Sequence, residues 1–119
     1  MLYYPPEQVS SMKSLPTLRP KKRYIVFRIH AGQPVPYLQL KAAVMESLLE
    51  FLGEQTFAKA SPRLIKNLCT GRTGFLLTTP AAVDSCKLAL ALIHHIADQP
   101  VTFQTLTVAG TIKSGKKAL

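Results

Sequence analysis

The sequence predicts one α/β sandwich, in which two helices cover one face of a four-stranded antiparallel sheet. Its 119 residues are enough for one domain with a single core. Apolar residues make up 47% of the chain and charged residues 18%, which is typical of a packed globular body and not of a disordered polyelectrolyte. Segments with strand and helix patterns follow one another in the order strand, helix, strand, strand, helix, strand.

The first half of the predicted domain contains one strand and one helix. Residues 24–30 are mostly β-branched, aromatic or apolar and are followed by Gly32 and Pro34, so they predict the first strand. Between residues 37 and 52 apolar residues recur at steps of three and four, which predicts an amphipathic helix, and Gly53 stands where a helix cap would. The apolar residues of this pattern are Leu40, Val44, Leu48, Phe51 and Leu52.

Two short strands are expected next. Residues 62–68 and 75–78 are apolar in places and flank the turn-like segment 70–74, so together they predict a hairpin.

A second helix and a last strand complete the predicted domain. Thr79 followed by Pro80 predicts the helix start, because a hydroxyl can cap free amides and Pro at the first helical position loses no hydrogen bond. The helix is expected to end at Pro100, and residues 101–108 alternate apolar with Thr or Gln, as a strand with one buried face does. The expected apolar face of the helix is Val83, Cys86, Leu90, Ile93 and Ala97.

This order of elements is that of the ferredoxin-like, or RNA-recognition-like, βαββαβ fold. The predicted domain covers residues 21–112, after an extended arm rich in Pro and Ser at residues 1–20 and before a basic tail at residues 113–119. The fold hosts many unrelated functions and therefore does not indicate one by itself.

The charge of the chain indicates a polyanionic partner. Fifteen Lys and Arg against six Asp and Glu give a formal net charge of +9, which favours nucleic acid. Binding to an anionic membrane would need a polybasic amphipathic helix, and neither predicted helix is polybasic. No segment approaches the roughly twenty apolar residues of a membrane span. A lone cysteine pair, Cys69 and Cys86, favours reduced thiols inside the cell.

Lysines and arginines are concentrated at both ends of the predicted domain. The first and last strands of a ferredoxin-like sheet are antiparallel neighbours, so the two clusters are expected to meet on one edge and present about seven cations to a phosphate backbone. A pair of solvated tails is the other interpretation of this pattern. The predicted RNA-binding residues are Arg19, Lys21, Lys22 and Arg23 before the first strand, and Lys113, Lys116 and Lys117 after the last.

No set of residues predicts a catalytic or metal site. His94 and His95 are adjacent, so on a helix they would point about 100° apart and could not share a metal ion. His30 stands alone, and the two cysteines lack zinc-site spacing. We find no Ser, His and acid set, phosphate-cradling glycine loop or general acid/base pair, so we expect no catalytic residue, metal or cofactor in the protein.

The sequence gives little indication of a base-stacking surface but does contain an acidic helix face. Residues 72–77 match only fragments of the aromatic signature on which RNA-recognition domains stack bases, and Phe27 is expected in the core. Glu46, Glu50 and Glu54 follow one another at helical steps of four, and such an acidic face is either solvated or meets a basic partner.

Motifs at the two ends resemble a known family. Residues 15–25, LPTLRPKKRYI, lead into the first strand, and residues 108–113, VAGTIK, lie near the end of the chain. Together they resemble the archaeal ribonuclease P protein component 2 family, with a similarity that runs from about Leu15 to Lys113 and includes Gly53 and Glu54 after the first helix.

The resemblance implies a protein subunit of ribonuclease P, whose RNA removes the 5′ leader from precursor tRNA with Mg²⁺ that the RNA holds. It further implies a TIM-barrel protein partner, ribonuclease P protein component 3, in a heterotetramer with two copies of each, and an archaeal cytoplasm. A general RNA-binding or ribosome-associated module of the same fold is the main alternative. An acylphosphatase-like hydrolase would need a positioned Arg and Asn in the loop 31–34, which has neither.

Overall fold

The computed structural model describes residues 21–119, so the arm predicted at residues 1–20 lies outside the described residues. The strands are β1 (Arg23–Ala31), β2 (Arg63–Leu64), β3 (Thr73–Thr78), β4 (His95–Ile96) and β5 (Gln99–Ala109). The α-helices are α1 (Tyr37–Ala60), α2 (Val83–Ala91) and α3 (Ile112–Lys116), and 3₁₀ turns lie at Lys66–Leu68 and Pro80–Ala82. No helix within 21–119 is long and apolar enough to span a bilayer.

The strands form one antiparallel sheet in the order β2-β3-β1-β5-β4. The central strand β1 lies between β3 and β5, which is the arrangement expected of a ferredoxin-like fold, so the predicted class is confirmed. The sheet has five strands and not the predicted four. The additional strand β4 pairs with the start of β5, where His95 lies opposite Pro100.

The long helix α1 is divided at Gly53. This residue has φ 79° and ψ 162°, which is not a helical conformation. The predicted helix therefore ends where expected, and a second helical segment continues to Ala60. Ser61, with φ 45°, closes it by donating its backbone N–H to the Phe57 carbonyl at 3.0 Å. Leu40, Val44 and Leu48 are buried as predicted, whereas Phe51 is 44% exposed.

The second predicted helix is shorter than the sequence indicated. The expectation that it runs to Pro100 was wrong, because α2 ends at Ala91 and Pro100 lies in β5. The turn between β4 and β5 is formed by Ala97 and Asp98 at φ 50° and 68°. His94 and His95 are therefore not helical. Of the residues expected on the apolar face of this helix, Ile93 enters the core from the loop after α2, whereas Ala97 is exposed in the turn; Ile96 enters the core from the edge strand.

The core lies between the sheet and the two longer helices. Ile25, Phe27 and Ile29 alternate along β1 toward this side and are almost fully buried. The Phe27 and Phe103 rings meet there with their centroids 5.4 Å apart. Ser47 Oγ of α1 donates to the Ala89 carbonyl of α2 at 2.8 Å. These contacts fix the helices on one face of the sheet, as predicted.

The last residues form α3, where the sequence suggested a basic tail at residues 113–119. Gly115 is buried, and a Cβ added there would lie 2.6 Å from Phe75 Cε2 and 2.9 Å from Val26 Cγ2. Val26 alternates with the core-facing residues of β1, so α3 lies on the sheet face opposite α1 and α2. A segment of this length shows no periodicity from which a helix could be predicted.

Candidate nucleic-acid interface

The start of β1 and the end of β5 lie side by side, which places the two basic clusters at one end of the sheet. Tyr24 pairs with Ala109 across these strands, so the predicted meeting of the two strand ends is confirmed for the backbone. We call the cations that flank this end the basic edge; its described members are Lys21, Lys22, Arg23, Lys113, Lys116 and Lys117. Arg19 lies outside the described residues.

The members of the basic edge are open to solvent. The four lysines at positions 21, 113, 116 and 117 are exposed, and Lys22 and Arg23 are partly exposed. Arg23 Nη1 donates to the Lys22 carbonyl at 2.9 Å, which holds the guanidinium beside the start of β1. Exposed cations can approach a phosphate and replace its condensed counterions.

The helix α3 gives Lys113 and Lys116 a defined position. Thr111 caps it, since the Thr111 hydroxyl accepts a hydrogen bond from the Ser114 backbone N–H at 3.1 Å. The buried Gly115 brings the helix backbone directly onto the sheet, while Lys113 and Lys116 remain exposed. These lysines are therefore displayed by a packed element.

The same helix covers the part of the sheet where bases could stack. Phe75, on the same face as Val26, is fully buried, and Tyr24 contacts it edge-on with ring centroids 6.2 Å apart. In the described sheet, Phe75 is thus closed to a base, in agreement with the incomplete aromatic signature of residues 72–77. Phe27 is fully buried in the core, as predicted.

The open part of this face is polar, and the sequence reading missed it. Arg28 pairs with Gln104, and His30 Nε2 lies 2.8 Å from Gln104 Oε1, so His30 has a partner on the neighbouring strand. The signal in the sequence was the alternation along β1, in which Arg28 and His30 share the face of Val26. These groups can donate to or accept from RNA.

A different surface lies on the helical side. Glu50, Phe51 and Leu92 line a shallow cavity of about 330 Å³, and Glu46 borders the neighbouring one. Phe51 and Leu92 are 44% and 55% exposed. Two of the glutamates predicted to line up on the first helix therefore stand beside exposed apolar side chains, a combination that suits a protein partner with a basic rim.

The histidines, cysteines and acids do not assemble into a metal site in the described part of the chain, where no group of three is placed to hold an ion. That the protein holds no metal stays a prediction. Cys86 is fully buried and Cys69 is partly buried. Burial raises the pKa of both thiols. Part of this rise is offset by a hydrogen bond between Cys86 and the Thr78 side chain and by one between Cys69 and the Phe75 backbone. Both thiols are therefore held in their neutral form.

The fold and its charges define a small, basic, ferredoxin-like α/β sandwich protein. Residues 23–119 match the Rpp14/Pop5 family, and the chain belongs to this family. Among its relatives is a protein of Thermococcus kodakarensis named ribonuclease P protein component 2, which is 37% identical over 102 residues, or 86% of this chain and 85% of the relative. The protein of the same name from Archaeoglobus fulgidus is 38% identical over 107 residues, or 89% of this chain and 95% of the relative.

Proposed function

We propose that this chain is a protein subunit of ribonuclease P that binds and supports the catalytic domain of its RNA. Membership of the Rpp14/Pop5 family and the names of its archaeal relatives support a role in ribonuclease P and in tRNA processing. The RNA, with Mg²⁺ bound to it, would remove the 5′ leader of precursor tRNA, and this chain would supply no catalytic residue, metal or cofactor. The cytoplasmic location stays a prediction.

The basic edge is the observation that carries the proposal. Cations before β1 and after β5 flank the same end of one pair of strands, and Lys113 and Lys116 are displayed by α3. Each lysine or arginine near a phosphate replaces a condensed counterion, so a folded RNA could hold its active conformation at lower Mg²⁺. If most of the basic edge contacts phosphates, RNA binding should weaken steeply with salt. The slope of log affinity against log salt concentration, which we call the salt slope, should be about −0.7 to −0.9 per phosphate contact.

A protein partner forms the second part of the proposal. We expect a TIM-barrel protein, ribonuclease P protein component 3, in a heterotetramer with two copies of each chain. The exposed Phe51 and Leu92 beside Glu46 and Glu50 support a protein contact on the helical side, because it would bury their apolar surface and pair the carboxylates.

The test is precursor-tRNA cleavage by a matched ribonuclease P RNA at limiting Mg²⁺. The reaction is run with this chain, with the TIM-barrel protein, and with both. We expect strong activation only by the pair. No activation, despite a folded complex and a matched RNA, would contradict the proposal, and retained binding to unrelated RNAs would then favour the general RNA-binding or ribosome-associated module.

A further inference from the structure

A second cationic site lies at the β2 edge of the sheet, between α1 and the segment that follows it. A cavity of about 430 Å³ opens there. Lys41, Arg63 and Lys66 line it together with Tyr37 and Asn67, and no acidic side chain of residues 21–119 is among its lining residues. The sequence reading missed this site, because Lys41 is far along the chain from Arg63 and Lys66 and only the packing of α1 beside β2 joins them.

The local structure places these residues around one cavity. Tyr37 and Lys41 are one helical turn apart at the start of α1 and therefore share a face. Arg63 lies in β2, and Lys66 begins the 3₁₀ turn that follows. Lys66 Nζ lies 5.8 Å from the centroid of the Tyr37 ring, a cation–π contact that restrains the ammonium group beside the cavity. All three cations are exposed.

The register of the sheet connects this cavity to the basic edge. Arg63 pairs with Leu77, Leu77 pairs with Tyr24, and Tyr24 pairs with Ala109, so the four residues form one row across four strands. Neighbouring strands are about 4.8 Å apart, which puts the Arg63 backbone about 10 Å from that of Tyr24. The two sets of cations therefore lie at the same end of the sheet.

We propose that Lys41, Arg63 and Lys66 form a second RNA-phosphate site, so that one RNA segment crosses the end of the sheet from the basic edge to the β2 edge. This inference rests on the RNA binding proposed above. Three cations around one cavity attract an anion, and a guanidinium with two ammonium groups suits the oxygens of a phosphate. The Asn67 amide adds a donor of the kind that contacts phosphate and sugar.

Continuity with the basic edge favours RNA over an acidic protein. The cavity alone would pair with a few carboxylates of an acidic peptide, whereas a polynucleotide carries regularly spaced phosphates and can use the whole row of cations. The cavity is also lined by Met45, Pro62, Leu64 and Ile65, but three cations with no acidic partner among the lining residues favour an anionic ligand over an apolar one.

The test compares two double variants of the full chain that lose the same residue types. Arg63→Gln with Lys66→Gln removes cations of the cavity. Arg72→Gln with Lys87→Gln is the matched control, since Arg72 donates to the Ala31 carbonyl at the other end of β1 and Lys87 lies on α2. Affinity for a matched ribonuclease P RNA is measured across a salt series by fluorescence anisotropy.

We expect the cavity variant to bind roughly tenfold more weakly at fixed salt and its salt slope to fall by about 2, with the control within about twofold of wild type. Equal effects in the two variants, with wild-type RNA binding intact, would overturn the second site alone. Unchanged RNA affinity with weakened binding to the TIM-barrel protein would also overturn it, in favour of an acidic protein surface. Absence of RNA binding by the wild type would overturn the proposed function as well.

A second variant separates loss of the cation site from misfolding at the β2 edge. Lys41→Gln changes an exposed residue of α1 and leaves the pairing of β2 with β3 untouched. Its salt slope should fall by about 1. A slope equal to that of the wild type would count against the site, whatever the double variant does.

Discussion

Gly115 determines how closely α3 approaches the sheet. A methyl group at this position would lie 2.6 Å from Phe75 Cε2 and 2.9 Å from Val26 Cγ2. Both neighbours are fully buried, so neither can move aside without disturbing the sheet. The exposed lysines of α3 therefore depend on the absence of a side chain on the opposite side of the same helix.

Replacing this glycine should affect stability and RNA binding together. We expect Gly115→Ala to lower the free energy of unfolding by about 1–3 kcal/mol, as overpacking does, and to weaken RNA binding by displacing α3. Urea unfolding and RNA affinity measure the two effects. Gly110→Ala is the control, because no atom lies within 4 Å of its added Cβ. Equal stability of the two variants would contradict the packing described for α3.

The buried thiol of Cys86 should make stability depend on alkaline pH. Burial raises the pKa of this thiol in the folded protein above its ordinary value of 9.0. As the pH rises, the unfolded chain therefore loses its proton first, so the contribution to stability is complete below that value and is lost as the pH rises toward the folded-state pKa.

Urea unfolding midpoints are measured between pH 7 and pH 10. This range lies on both sides of the ordinary thiol pKa of 9.0. The free energy of unfolding of the wild type should decrease more steeply above about pH 8 than that of Cys86→Ala, which has no buried thiol to ionise. Parallel curves for the two proteins would mean that the buried thiol contributes nothing to the alkaline loss of stability.

At the scale of elements, Gly53 separates the two segments of α1. Its φ of 79° with ψ of 162° belongs to a region that almost only glycine adopts. After this bend α1 ends against β3, where Thr78 Oγ1 donates to the Ala60 carbonyl at 3.0 Å in the buried interior.

Gly53→Ala should therefore lower the free energy of unfolding by about 1–3 kcal/mol through backbone strain alone, since nothing lies within 4 Å of the added Cβ. Denaturant unfolding followed by circular dichroism measures it. Gly32→Ala is a suitable comparison, because its nearest neighbour is a Gln99 side-chain oxygen at 4.0 Å. Greater stability of Gly53→Ala, together with added helix content, would mean that a continuous α1 is tolerated.

Element length decided what the sequence could predict. Three elements are long enough to show a clear hydrophobic periodicity in the sequence: β1, the first segment of α1 up to Gly53, and β5. Their patterns led to the correct strand order. The two-residue strand β4 and the five-residue helix α3 carry no period of their own. The end of α2 was hidden because Ile93 keeps the helical spacing of Cys86 and Leu90 while it enters the core from outside the helix.

The candidate site was predictable only in part, for a related reason. The basic edge follows from strand order and the positions of two charge clusters, both of which can be read from sequence. The packing of α3 and the cavity around Lys41, Arg63 and Lys66 depend on tertiary contacts between segments far apart in the chain. Such contacts leave no local pattern.

At the scale of the whole molecule, charge and apolar surface are separated. Six cations and the row through Arg63 occupy one end of the sheet, whereas Glu46, Glu50, Phe51 and Leu92 lie on the helical side. In a chain of net charge +9, this division provides separate surfaces for the RNA and the protein partner proposed above. We propose that the basic edge substitutes for part of the Mg²⁺ that the RNA would otherwise need.

Two triple variants with equal loss of charge isolate that effect. Lys21→Gln, Arg23→Gln and Lys113→Gln remove cations of the basic edge both at the start of β1 and in α3. The control variant changes the same residue types elsewhere, at Lys59, Arg72 and Lys87. Both proteins are assembled with the matched RNA and the TIM-barrel partner.

The deciding measurement is the Mg²⁺ concentration at which each assembled enzyme reaches half-maximal cleavage of precursor tRNA. We predict that the basic-edge variant needs at least roughly twofold more Mg²⁺ than the wild type, because Mg²⁺ must neutralise the phosphates that the variant no longer neutralises. The control variant should keep the wild-type Mg²⁺ requirement. An unchanged Mg²⁺ requirement for a folded and assembled basic-edge variant would contradict the account.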